Sequence, residues 1–255
     1  MTIAGPCRTR SDGSKMAEAD LVETFTMGRR IARLYAHGRE PVHVVVIDDY
    51  LEDPDAMVDI ATHGPPFAPN GPFYPGIRAP VPTQAFQTLL GPLADILPRY
   101  FGYAGRAGLR ECNFSLVTTP PDRLAPIQRL PHFDSLEYGR VAALLYLCRG
   151  DHQGGTAFYR QRSTGFETVD AGRFDAFEAA LTADVARHGL PASGYIDETS
   201  PIYEMIGRHD ARFNRMIVYF SANLHCAYIP DDFVFDDQPA SGRLTVNAFL
   251  GQGPA

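Results

Sequence analysis

At 255 residues the chain suits one sizeable domain, or one domain with insertions, because β-rich single domains commonly reach about 200–250 residues. An apolar share of 45% with 23 glycines and 21 prolines fits a loop-rich globular protein of many short elements and excludes a helical bundle or a disordered chain. The net charge of −7 speaks against a nucleic-acid backbone as partner, since that contact draws on clustered Lys and Arg.

No apolar run approaches the length of a bilayer span, and the N-terminus lacks the uninterrupted apolar stretch of a signal peptide. Cys7, Cys112, Cys148 and Cys226 show no Cys-x-x-Cys spacing, so reduced thiols in a soluble cytoplasmic protein are expected. Residues Met1 to about Asp20 carry no sustained periodicity and read as a leader outside the fold; residues 21–255 read as a single domain.

Val22 to Tyr35 is compatible with an amphipathic helix or with two short strands. The β-branched run Val42 to Ile47 predicts a strand buried on both faces. A helix follows, capped by Asp53 with Pro54 at its first position, and runs to His63-Gly64. Gly64 to Pro82, dense in proline and glycine, predicts a stiff loop without a regular element; its aromatic tips and Arg78 could cover a site or pack on the surface. Gln84 to Tyr103, with Thr83 as its cap, predicts two short helices interrupted near Pro92 and Pro98 and backing a sheet.

Strands are predicted at Leu109 to Thr118, with Asn113 and Ser115 on a polar face, at Val141 to Cys148, and at Gly155 to Arg160. Phe174 to His188 carries a helical stripe and reads as part of an insertion over about 161–212 that also holds the mixed stretch Ile202 to Arg212. Met216 to Phe220 is a core strand. In the last strand, Arg243 to Leu250, Arg243, Thr245 and Asn247 share one face and Leu244, Val246 and Ala248 the other.

The chemistry is concentrated in Leu130-Pro131-His132-Phe133-Asp134-Ser135. In extended chain, side chains two apart project from one face, so His132 and Asp134 converge while Phe133 turns away. His225, after the Arg215 to Phe220 strand, would complete two imidazoles and one carboxylate, the facial triad of open non-haem Fe(II) sites. The bland reading is a structural His–Asp pair and a core histidine.

The order His132-x-Asp134, then His225, then Arg243 opening a final strand resembles the Fe(II)- and 2-oxoglutarate-dependent dioxygenase superfamily. Gly154-Gly155-Thr156-Ala157-Phe158 and Asn214 to Tyr219 resemble strands of its prolyl-4-hydroxylase-like branch, the first in a form one residue shorter. Val45 to Leu51 resembles the entry of bacterial members with unassigned substrates. Arg243 stands further from His225 than is usual in that branch.

The resemblance implies a mainly β fold with helices (α+β): a double-stranded β-helix, or jelly-roll, cupin-like core with N-terminal helices and a helical insertion. It implies His132, Asp134 and His225 as ligands of Fe(II), with 2-oxoglutarate as co-substrate and dioxygen as oxidant. Arg243 would hold the distal carboxylate of 2-oxoglutarate in a bidentate fork that lysine cannot reproduce, with Thr245, Tyr146 and Asn113 as further contacts and Ser115 beside them. Related halogenases carry a small residue in place of the carboxylate ligand, so Asp134 favours hydroxylation. The substrate would be an amino acid, a peptide or a secondary metabolite, with neither nucleic acid nor membrane as partner, and a homodimer stays open. A non-catalytic cupin-like binder of metal or ligand, and a zinc-dependent hydrolase using the same ligands, are the competing readings.

Overall fold

The computed structural model describes residues 20–40, 42–191 and 193–253; the expected leader falls almost wholly outside them. The N-terminal ambiguity resolves as a hairpin, β1 (Asp20–Met27) and β2 (Arg30–His37), paired antiparallel through the Met27 to Arg30 turn. β3 (Val42–Ile47) follows. Val45 and Ile47 enter one apolar cluster while Val44 and Val46 enter another, which is why alternation is missing from this stretch of sequence. α1 (Pro54–His63) starts as predicted, the Asp53 carboxylate accepting the Ala56 N–H at 3.0 Å.

The Gly64 to Pro82 segment departs from expectation, because it holds two strands, β4 (Ala68–Pro69) and β5 (Gly76–Pro80). They form the margin of the sheet, where the missing N–H groups of proline cost no ladder bond on the open side. α2 (Thr83–Leu90), a 3₁₀ turn at Gly91–Ala94 and α3 (Ile96–Phe101) supply the predicted helical stretch. Two details differ. Thr83 is the first helical residue and not the cap, and Pro98 lies inside the first turn of α3, where its lost N–H has no intrahelical partner to forfeit.

β6 (Ala107–Val117), β7 (Val141–Tyr146) and β8 (Gly155–Gln161) come next, then α4 (Phe174–His188), β9 (Tyr203–Asp210), β10 (Arg215–Phe220), β11 (His225–Tyr228) and β12 (Leu244–Gln252). The insertion expected over 161–212 therefore needs correcting. Only its middle is helical; Ile202 to Arg212 contributes β9, whose half-polar sequence hid a strand that pairs along β8 from Gly155 to Gln161.

A nine-stranded sheet runs in the order β1-β2-β3-β10-β7-β12-β6-β5-β4, and a three-stranded sheet in the order β11-β8-β9. The strand pairs are antiparallel throughout. α1, α2 and α3 cover one face of the large sheet through Met57, Phe86, Leu89, Ile96 and Phe101. The opposite face meets the small sheet through Val44, Ile217 and Tyr219 against Phe158 and Ile206. α4 lies on the far side of the small sheet, with Phe177 buried against Ala157, Tyr159 and Cys226.

A buried carboxylate locks the β2–β3 turn to the chain after β8. Glu167 accepts the N–H groups of Arg39 at 2.9 Å and Glu40 at 2.8 Å and the Arg160 Nε–H at 2.7 Å. Gly38 has φ +71°, and a Cβ there would strike the Glu167 carboxylate. Among the described residues no helix is long and apolar enough to cross a membrane.

Candidate active site

His132 is held by its backbone before its side chain is considered. Its N–H donates to the His225 carbonyl at 2.9 Å, and the His225 N–H returns the bond to the His132 carbonyl at 2.8 Å. Two residues on, the Asp134 N–H donates to the Ser221 carbonyl at 2.7 Å. That extended pairing puts the His132 and Asp134 side chains on one side, as their spacing predicts. Phe133 points the other way, edge-on to Phe174 and Phe177 of α4 with ring centroids 6.2 and 5.8 Å apart.

The three candidate ligands meet. His132 Nε2 lies 3.6 Å from Asp134 Oδ1, and His225 Nε2 lies 3.5 Å from Asp134 Oδ2. One donor atom from each falls within 4.8 Å of the other two. Two features suit a cation. The buried Asp134 Oδ2 has no hydrogen-bond partner, which is costly for an isolated carboxylate oxygen. His225 Nδ1 sits 2.8 Å from the Asn223 carbonyl, an acceptor, so the ring proton belongs on Nδ1 and the Nε2 lone pair faces Asp134.

Burial, opposed by the Asp134 charge, takes the His225 imidazole down to about 4 and keeps it neutral, the form that ligates. For Asp134 burial favours the acid, but His225, His132 and Arg78 together outweigh it and hold the carboxyl below its ordinary range. Cys226, one residue past His225, is a buried thiol pushed up to about 12 by desolvation and stays protonated.

The ligand set opens on a cavity of about 760 Å³ that also takes in Arg243 just before β12, Thr245 and Asn247 from β12, Tyr74 and Arg78 from the β4–β5 region, and Phe174 and Phe177 from α4. Arg243, only 3% exposed, is held by the chain that the paired glycines shape. Its Nε–H donates to the Gln153 carbonyl and an Nη2–H to the Gly155 carbonyl, each at 2.8 Å. Gly154 has φ +69°, and a Cβ on it would run into the Tyr228 carbonyl, so this close approach requires glycine.

Thr245 lines the cavity as expected, its hydroxyl 3.4 Å from the Ser115 carbonyl. Two expected co-substrate contacts are corrected, since neither Tyr146 nor Asn113 lines the cavity. The Tyr146 hydroxyl is engaged by the Thr156 hydroxyl at 2.7 Å, and its ring lies 5.6 Å from the Arg243 guanidinium carbon, so it supports the arginine from behind. The Asn113 amide donates to Glu111 Oε1 at 2.6 Å and is drawn away.

Sequence reasoning missed Arg140, Tyr195, Glu111 and the α4 aromatics, all of which line the cavity. Arg140 was findable by parity. It stands two before Ala142 and four before Leu144, the inward residues of β7. Nothing in the α4 stripe separated a cavity wall from an ordinary packing face.

A profile of the Family of unknown function (DUF6445) matches residues 29–250. No curated protein matches. Among solved structures, HygX from Streptomyces hygroscopicus with nickel and 2-oxoglutarate bound aligns at a TM-score of 0.51 with 15% identity, covering 84% of each chain. A second HygX structure, with nickel, 2-oxoglutarate and hygromycin B bound, aligns at 0.50 with 13% identity over 84% of each chain. At these identities the likeness is one of fold.

Proposed function

We propose that this chain, which belongs to the Family of unknown function (DUF6445), is a non-haem Fe(II)- and 2-oxoglutarate-dependent oxygenase of the jelly-roll class that hydroxylates an unactivated C–H bond. One observation carries the reading. A His–Asp–His cluster of metal-binding size and a buried arginine without a carboxylate partner among the described residues line the same cavity. The first is a facial set for iron and the second an anchor for the far end of a dicarboxylate. The fold shared with HygX, whose crystals hold nickel and 2-oxoglutarate, supports the same assignment.

In this reading His132, Asp134 and His225 hold the iron, which when bound activates dioxygen at the expense of 2-oxoglutarate. The other tasks fall to the chain. Arg243 has two N–H groups committed to Gln153 and Gly155, and its remaining donors receive the distal carboxylate, with the Thr245 hydroxyl beside it. Asn223 keeps the His225 ring in one tautomer through the Nδ1 proton. Phe133, Phe174 and Phe177 exclude water from the substrate side. The substrate is a small molecule or peptide, and Asp134, by retaining a carboxylate ligand, favours hydroxylation over halogenation.

Anaerobic titration tests the proposal. Fe(II) added with 2-oxoglutarate should raise a visible charge-transfer band in the wild-type protein and none in D134A or H225A, and admission of dioxygen should release succinate. A wild-type protein that takes up the metal but gives neither band nor succinate refutes the oxygenase and leaves a metal-binding protein or a hydrolase.

A further inference from the structure

Arg140 is a charged group that the described structure leaves incomplete. It precedes β7 and turns inward with Ala142 and Leu144, lining the cavity, its guanidinium carbon 5.4 Å from the centre of the Phe249 ring. Its Nε is buried without a hydrogen-bond partner, and among the described residues no carboxylate comes within ion-pair distance. The acids nearest in sequence and register are committed elsewhere. Glu137 pairs with Arg110 at 3.4 Å, and Glu111 accepts from Asn113 at 2.6 Å with Arg78 at 4.0 Å. A guanidinium N–H withdrawn from water and left unbonded is costly, so the geometry calls for an anion.

That anion is not the co-substrate. Thr245 pairs with Tyr146 and Phe249 with Ala142 across β12 and β7. Arg243 therefore lies past one end of the strand pair and Arg140 past the other, eight residues apart in register and roughly 26 Å along the strands at about 3.3 Å per residue, well beyond the length of a five-carbon diacid. Arg140 is instead close to the ligand set by another route. Its carbonyl accepts the Ser221 N–H at 2.9 Å, and the Ser221 carbonyl accepts the Asp134 N–H at 2.7 Å.

We infer that Arg140 receives a carboxylate of the oxygenase's substrate, which is a monoanionic acid on an apolar body. The anionic head sits beside Phe249, and the body runs past Leu144 and Phe133 toward Phe174 and Phe177. One arginine between aromatic and aliphatic walls balances a single charge; a phosphate dianion would leave one charge uncompensated there. The inference rests on the oxygenase reading for the role of the bound acid, but the anion seat itself is testable without turnover.

The test is calorimetric, on protein loaded with Ni(II) and 2-oxoglutarate, and repeated without them. The probes are hexanoate, octanoate and 3-phenylpropanoate, each beside its primary amide, which keeps the shape and removes the charge. At least one acid should bind tenfold or more tighter than its amide. R140Q should erase that preference, R140K should keep part of it, and R243Q should leave it in place. The inference is overturned if no acid outbinds its amide in the wild-type protein, a comparison needing no variant, or if the preference survives R140Q or is lost only in R243Q. An Arg140-dependent preference in a protein that binds no 2-oxoglutarate upholds the anion seat and removes the oxygenase; 2-oxoglutarate binding without the preference does the reverse.

Discussion

Replacing Arg243 separates the role it has in holding the chain from the role proposed for it in holding 2-oxoglutarate. In R243Q the Gln153 and Gly155 carbonyls lose donors at 2.8 Å, at about 1–3 kcal/mol for each buried acceptor left unpaired. The melting temperature should fall by roughly 2–4 °C per kcal/mol. The ligand effect is larger. Two charge-assisted hydrogen bonds to a carboxylate contribute roughly 1.5–3 kcal/mol each, so 2-oxoglutarate should bind on the order of 10²–10⁴ weaker. R243K, which keeps the charge and loses the planar fork, should fall between. The assay is anaerobic titration of the Fe(II) protein with 2-oxoglutarate and with 2-oxopentanoate, which lacks the distal carboxylate. Wild-type protein should prefer the diacid strongly, and R243Q should bind the two alike. If R243Q stays folded and retains the wild-type preference, Arg243 is a structural residue only and the co-substrate anchor lies elsewhere.

G154A should weaken 2-oxoglutarate binding without touching a ligand-contacting side chain, because φ +69° and the Tyr228 carbonyl together exclude a Cβ and the relaxed chain would shift the Gln153 and Gly155 carbonyls that aim Arg243; unchanged affinity in a folded G154A rejects the link. E167A should lower stability by about 3–5 kcal/mol, the usual result of removing one partner of a buried ion pair, since Arg160 and two backbone N–H groups are left facing the gap; chemical denaturation reads this directly, and a loss under about 1 kcal/mol, the range of exposed ion pairs, counts against it. His209, 2.9 Å from His37 through their Nε2 atoms, is held down to about 3 from 6.5 by burial first and then by the His37 and Arg215 charges. Its pKa is lower in the folded state, so below about pH 6.5 the unfolded chain takes up the proton first and stability falls with pH. Between about pH 7.5 and pH 5 this amounts to about 2 kcal/mol at 1.36 kcal/mol per pH unit, and H209N should show a correspondingly flatter acid limb in thermal melts; an identical limb rejects the assignment.

What could be read from the sequence depended on whether one residue sufficed or several had to meet. Asp53-Pro54 marks the start of α1 because a cap and an N1 proline act locally, and His132-x-Asp134 reads directly because alternation puts both on one side of extended chain. The β5 strand could not be read in this way. Gly76 to Pro80 has weak intrinsic strand character and is extended because β6 offers it a paired edge from Asn113 to Val117, a fact of tertiary structure. β9 was obscured similarly, its Glu204, Arg208 and His209 disguising a strand whose polar side chains are met by Arg160, Tyr228 and His37. Asn113 and Tyr146 sit where parity points them, yet a neighbour competes for each side chain, and competition of that kind is invisible until the partners are in place.

The burial of the ligands also gives the site a direction. The His225 side chain is 6% exposed, Asp134 14% and His132 54%. His225 is fixed twice, through its backbone pairing and through its Nδ1 proton on Asn223, and Asp134 is fixed by Ser221. His132 shares the backbone bridge but leaves its ring in the open. A metal ion would therefore meet two prearranged donors with the third on the solvent side. Arg140 is tied to Asp134 through the Ser221 backbone, while Arg243 is held at the other end of the strand pair by the Gln153 and Gly155 carbonyls. Two arginines that serve no carboxylate among the described residues therefore share one cavity with the His–Asp–His cluster, and on the proposed reading each is a separate anion seat, one for the co-substrate and one for the substrate.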